Sequence, residues 1–92
     1  MIVRISTEGQ YDLPERFHAE LNELDNRVVA AVEADSEDDY RESFAALLDF
    51  VRSNGTPVED TDLRGSDLII PPPDLTLAEA EQEFTGDGLL PD

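Results

Sequence analysis

The chain has 92 residues, with 23 Asp and Glu against six Arg and no Lys, for a formal net charge of −17. That length fits one domain, and residues 1–92 are read as a single unit. The charge excludes DNA, RNA and an anionic membrane surface as direct ligands, since each needs a Lys/Arg patch and the six Arg here are scattered singly.

The same charge bears on the solvent. Self-repulsion of this size works against a compact state in dilute buffer. At roughly 1 M salt the Debye length is about 3 Å and the repulsion largely vanishes. A globular pattern at −17 therefore points to a salt-rich, haloarchaeal cytosol. The competing reading is an acidic stress or transcription-linked regulator, acting through protein contacts, that mimics nucleic acid or chaperones basic partners. Such proteins often carry their acids in blocks, whereas most acids here sit singly on polar helix faces. Cysteine is absent, so neither disulfides nor thiolate metal sites add stability. No apolar run approaches the roughly 20 residues that span a bilayer. MIVRISTEGQ has no apolar core or cleavage site of a signal peptide. The expectation is a soluble, cytoplasmic protein with no direct membrane insertion.

In chain order, MIVRIS (1–6) is short, β-branched and apolar, and reads as a strand. Thr7-Glu8-Gly9 follows as a turn, with Gly9 suited to a positive φ. Residues 10–13 alternate, Tyr11 and Leu13 facing one way, which suggests a second short strand. Asp12-Leu13-Pro14 announces a helix with Pro14 in its first turn. Phe17, Leu21, Leu24, Val28, Ala31 and Val32 make one apolar stripe about 100° wide. Glu23 and Arg27 stand at the favourable i,i+4 spacing on the polar side.

Ser36 is the natural N-cap of a second helix, with Asp39 at the capping-box position and acids at the positive end of the dipole. Its apolar residues Tyr40, Phe44, Leu47, Leu48, Phe50 and Val51 cover an arc of about 160°, wider than an ordinary amphipathic stripe. Such a helix needs cover on two sides, from its hairpin partner and from the sheet or another protein. Asn54 or Gly55 is expected as a left-handed cap, with Pro57 just beyond. Residues 58–65 read as an acidic connection.

Residues 67–71 read as a strand. Leu68, Ile69 and Ile70 run together, which suggests cover on both faces. Pro71, Pro72 and Pro73 then end it, since they have no N–H to donate to a ladder. Thr76-x-x-Glu79 is a second capping box. It opens a short helix with Leu77, Ala80 and Phe84 on one side and Gly86 as its stop. The fold class expected is α+β: a helical hairpin packed on a small two- or three-stranded sheet, with a short C-terminal helix.

Signals for chemistry are weak. His18, the sole histidine, lies beside the first apolar stripe in register with Asn22 and Asp25, and reads as a surface residue. Ser43 and Ser53 have no nucleophile motif around them. Close carboxylate pairs are expected by chance in so acidic a chain. Asp60, Asp62 and Gly65 imitate the start of a calcium loop, but Arg64 and Pro71 occupy positions that should be ligands. Glu33, Asp35, Glu37, Asp38 and Asp39 read as a solvated, capped turn. Gly86-Asp87-Gly88 is too short for a phosphate loop. No enzyme activity, catalytic residue, cofactor or metal is expected.

Leu89, Leu90 and Pro91 are apolar residues at a chain end, which fray unless docked. With Tyr11, they either pack on the sheet or form a contact patch. The partner-binding candidates are Phe50, on the outer flank of the second helix, with Leu89, Leu90 and Pro91.

The whole chain resembles the PspA-associated domain proteins, small proteins encoded beside phage shock protein A homologues in archaea and actinobacteria. The resemblance is carried by MIVRISTEGQY, LNELDNRVVAAVEA, FAALLDFVRSNGTPV, SDLIIPPPDLTLAEA and FTGDGLLPD, which appear in family order over nearly all 92 residues. The sequence departs from the family by loss of Lys and gain of acid, as a halophilic member would. The resemblance implies a non-enzymatic adaptor or regulator in the envelope stress response. Its partner would be a phage shock protein A homologue, a coiled-coil membrane-remodelling protein that would recruit it to the membrane. It carries over no catalytic or binding residue and sets no oligomeric state.

Overall fold

The computed structural model describes residues 1–59 and 65–84. Among these residues, four strands, two long helices and a short one make an α+β domain around an apolar cluster. Strand β1 (Ile2–Ile5) turns back into β2 (Gly9–Asp12), a 3₁₀ turn (Glu15–Phe17) leads into helix α1 (His18–Glu33), and helix α2 (Glu37–Asn54) runs straight into β3 (Thr56–Val58). Strand β4 (Leu68–Ile70) and helix α3 (Leu77–Glu83) follow. The sheet order is β3-β2-β1-β4, antiparallel except where β4 lies parallel to β1.

The sheet thus has one strand more than its sequence suggests. Residues 56–58 read as a cap and a connection because Pro57 breaks any strand pattern. As β3 they occupy the sheet edge, where a proline's missing N–H is tolerated, and Pro57 stands opposite Tyr11. The last ladder bond of β4 runs from the Ser6 N–H to the Ile70 carbonyl at 2.9 Å. Buried Pro71 follows it directly, so strand pairing stops there for want of a donor.

Turn chemistry sets the entry and exit of each element. The β1–β2 turn is tight: Gly9 has φ +145°, as expected, and Thr7 has φ +71°, a region unfavourable to a β-branched residue. Pro14 lies just outside the helical segment, with ψ 143°, so it precedes the first turn instead of entering it. Helix α1 ends on a Schellman motif. The Ser36 N–H donates to the Ala31 carbonyl and the Asp35 N–H to that of Val32, with Asp35 in the left-handed region at φ +54°. Ser36 then caps α2 through its hydroxyl, which accepts from the Asp39 N–H.

The α2 exit differs from the expected left-handed cap. Gly55 is extended, at φ −90° and ψ 156°. Its glycine is required by close approach: a Cβ would lie 2.7 Å from the Val51 carbonyl oxygen and 2.9 Å from the Tyr11 Cβ. The helix therefore passes into β3 without a loop.

Both helices lie on one side of the sheet. Val3 and Ile5 of β1, with Leu68 and Ile70 of β4, point into the shared core with Leu21, Val28, Leu47 and Val51. Val29 joins them although it stands outside the expected stripe. An aromatic series ties α2 to the C-terminal helix: Tyr40 stacks on Phe44 at 5.6 Å, and Phe84 meets Phe44 edge-on at 5.8 Å. The capping box of α3 is complete, with the Glu79 N–H on the Thr76 hydroxyl and the Thr76 N–H on the Glu79 carboxylate.

Candidate functional site

The strand side chains divide by the two-residue period into an inner and an outer set. The inner set fills the core. The outer set makes two rows, Val58–Gln10–Arg4–Ile69 and, beside it, Thr56–Asp12–Ile2, each residue paired in register with the next, and Ile2 in the second row is buried. Gln10 and Val58 are half-buried, and the Gln10 amide donates to the Ser66 hydroxyl at 2.8 Å, whereas Arg4 and Ile69 are exposed. Ile69 is 57% exposed, the one large apolar side chain so exposed among the described residues. The expectation that β4 is covered on both faces is therefore corrected. Leu68 and Ile70 are buried and Ile69 is not, because both long helices of the hairpin went to the same side.

Beside Ile69, Arg4 is exposed and has no hydrogen-bond or ion-pair partner among the described residues. The other described arginines are engaged. Arg27 holds Glu23 at 3.2 Å and Arg41 holds Glu37 at 3.0 Å. Arg52 donates from Nε to Glu8 at 2.9 Å and also reaches Asp49 at 3.5 Å. Arg16 lies 4.9 Å from the centre of the Phe17 ring. Hydrogen bonds from Arg52, with a further one from the Tyr11 hydroxyl, hold the Glu8 carboxyl below its ordinary range. This cluster pins the β1–β2 turn to the end of α2.

Phe50 is half-buried on the flank of α2, with its ring edge-on to Phe17 at 5.6 Å. Leu89, Leu90 and Pro91 lie outside the described residues, as do Gly86-Asp87-Gly88 and Asp60 to Arg64 of the calcium-like tract. His18 is exposed at the start of α1. Asp25, by contrast, is buried (1% exposed), the one charged residue so placed among the described set. It shares the helix face of His18, two turns on, as its spacing suggests, but lies beneath the surface where His18 is exposed. Glu33, Asp35 and the acids of the α2 first turn surround the two helix ends. Among the described residues no three His, Cys, Asp or Glu side chains are gathered so as to hold a metal.

Two grooves flank the hairpin. One, of about 300 Å³, runs between α2 and residues 73–77, over Tyr40, Phe44 and Leu75. The Tyr40 hydroxyl donates to the Leu75 carbonyl at 2.7 Å beneath it. Burial, with the Glu37 and Glu79 charges nearby, pushes that phenol up to about 12. The other, of about 380 Å³, lies between the two helices over Leu24, Ala30, Ala34 and Ala46. No helix among the described residues is long and apolar enough to cross a membrane.

Sequence reasoning passed over Arg4 and Ile69. A signal was present in β1, where one Arg between Val3 and Ile5 marks a strand solvated on one side. Which face of β4 shared that solvation depended on its pairing with β1, which no local pattern states.

Comparison with known proteins gives one match. The family model described as PspA-Associated protein matches residues 1–92. No curated protein and no solved structure matches this chain.

Proposed function

We propose, from the premise that this chain belongs to the PspA-associated protein family, that it is a non-enzymatic adaptor. It binds a phage shock protein A homologue of the same cell and acts on the envelope stress response through that contact. The observation that carries this reading is the family match over the full 92 residues. The fold supports it, since Arg4 and Ile69 are exposed on the outer face of the sheet and no described helix lies over them. The protein works in the cytosol and reaches the membrane through its partner. A net charge of −17 supports a salt-rich cytosol, where repulsion between two acidic proteins is screened.

The contact is mainly apolar. Hydrophobic association is strengthened by excluded salts, whereas ion pairing is weakened. Phe50, Leu89, Leu90 and Pro91 remain candidates for part of it. The test is calorimetric titration of the protein with the phage shock protein A homologue in molar KCl and in dilute buffer. Saturable binding that is tighter in molar KCl is the expected result. No binding in either buffer overturns the adaptor reading. Tight binding in dilute buffer that disappears in molar KCl overturns the apolar mechanism. Substituting Leu89→Asp and Leu90→Asp together should weaken binding more than any single exchange among the arginines already paired within the chain. A folded double variant that binds unchanged removes the tail from the interface.

A further inference from the structure

We infer that the outer face of the sheet, centred on Arg4 and Ile69, docks a segment of the partner protein that presents a carboxylate to Arg4 and an apolar side chain to Ile69. This rests on the adaptor reading and assigns it a surface.

Charge complementarity identifies the occupant. In a chain of net charge −17, each other described arginine is engaged within the molecule, by a carboxylate for Arg27, Arg41 and Arg52 and by an aromatic ring for Arg16. Arg4 alone of this set has neither. Its register neighbour Ile69 is the one strongly exposed large apolar side chain of the described residues. A free guanidinium offers a planar fork that matches a carboxylate bidentately, and Ile69 offers apolar area beside it. On the other side the row continues into half-buried Gln10, held by the Ser66 hydroxyl, and Val58, so the docking surface is centred on Arg4 and Ile69. The two hairpin grooves lack this combination. Arg27 in one is held by Glu23, and Arg41 in the other by Glu37.

Size argues against a second copy of this chain as the occupant. Four strands about 4.8 Å apart and three or four residues long present a face of roughly 200–250 Å². A stable symmetric interface buries about 800 Å² on each partner. Two copies would also bring two charges of −17 together. A partner segment can lie across the sheet and bury further surface elsewhere on the domain, such as the Phe50 flank.

The experiment is titration of the phage shock protein A homologue in molar KCl with wild type, Arg4→Glu, Arg4→Lys and Ile69→Thr, each first shown to melt as wild type does. Arg4→Glu should weaken binding roughly tenfold or more, and Arg4→Lys by clearly less, since charge is kept and the fork is lost. Ile69→Thr should weaken it by about fivefold, for loss of apolar area in a residue that still suits a strand. Wild type that binds while all three variants bind equally well overturns the surface assignment and leaves the adaptor reading standing. Absence of wild-type binding overturns both. Self-association that Arg4→Glu abolishes would assign the face to a second copy and overturn the choice of occupant. A photo-crosslinking residue placed at position 69 should couple to the partner, and the same probe at exposed Glu42 should not. Equal coupling from both positions overturns the assignment without relying on any loss of affinity.

Discussion

Tyr40 on the second helix donates its hydroxyl to the carbonyl of Leu75, 2.7 Å away and 35 residues along the chain. This bond ties the proline-rich segment to the helical hairpin at the point where the chain turns into α3. The segment has few other polar anchors, because its three prolines supply no N–H. Tyr40 also stacks on Phe44, which meets Phe84, so one side chain links the segment, the hairpin and the last helix.

Tyr40→Phe should therefore cost about 1–2 kcal/mol, because the ring packing stays and a part-buried carbonyl loses its donor. The alkaline limb gives a second readout. The phenol is pushed up to about 12 in the folded state and sits near its ordinary value of about 10 when unfolded. Its contribution is fully present below pH about 10 and is lost as pH rises through about 12. Urea midpoints measured between those values should fall with pH in wild type and fall less in Tyr40→Phe. Parallel slopes in the two proteins would show that the buried phenol is not what titrates.

Asp35 closes the Schellman motif in a left-handed conformation at φ +54°. A residue with a Cβ is strained there by roughly 1–2 kcal/mol, while glycine loses more chain entropy on folding. Asp35→Gly should raise stability by about 0.5–1 kcal/mol. Asp35→Ala removes the same charge and keeps the Cβ, and should give no gain. Equal gains from both, measured by thermal melts at fixed salt, would assign the effect to charge and not to the backbone.

Gly55 should not tolerate a side chain. The Val51 carbonyl oxygen is backbone and the Tyr11 Cβ belongs to a paired strand, so neither moves cheaply out of the way. Gly55→Ala should cost about 1–3 kcal/mol by overpacking, although alanine loses less chain entropy than glycine on folding. A variant as stable as wild type in chemical denaturation would show that α2 and β2 separate freely.

Stability should rise with salt. At −17, with the surface ion pairs Glu23–Arg27 and Glu37–Arg41 each worth about 0–1 kcal/mol, screening removes more repulsion than attraction. Denaturant midpoints should increase from dilute buffer to molar KCl. A flat or falling series would remove the salt-rich cytosol from the functional proposal.

What the sequence determined alone is what nearest neighbours decide. Thr76 and Glu79 form their capping box and Ser36 caps its helix because the groups involved lie three residues apart. The proline run ends β4 because a residue without an N–H ends any ladder. The apolar spacing of the two long helices forecast a hairpin on a sheet for the same local reason. Only the tertiary structure decided that residues 56–58 form a strand, since a three-residue segment containing Pro57 becomes one only by pairing with β2. It decided that Gly55 serves close approach and not a left-handed turn, because its neighbour Tyr11 is distant in sequence. It also buried Asp25 and exposed Ile69. Leu68, Ile69 and Ile70 are chemically alike, and nothing within the strand says which of its faces a helix will cover. The hairpin put both long helices on the Val3–Ile5 side, and that placement left Ile69 next to Arg4 in the open.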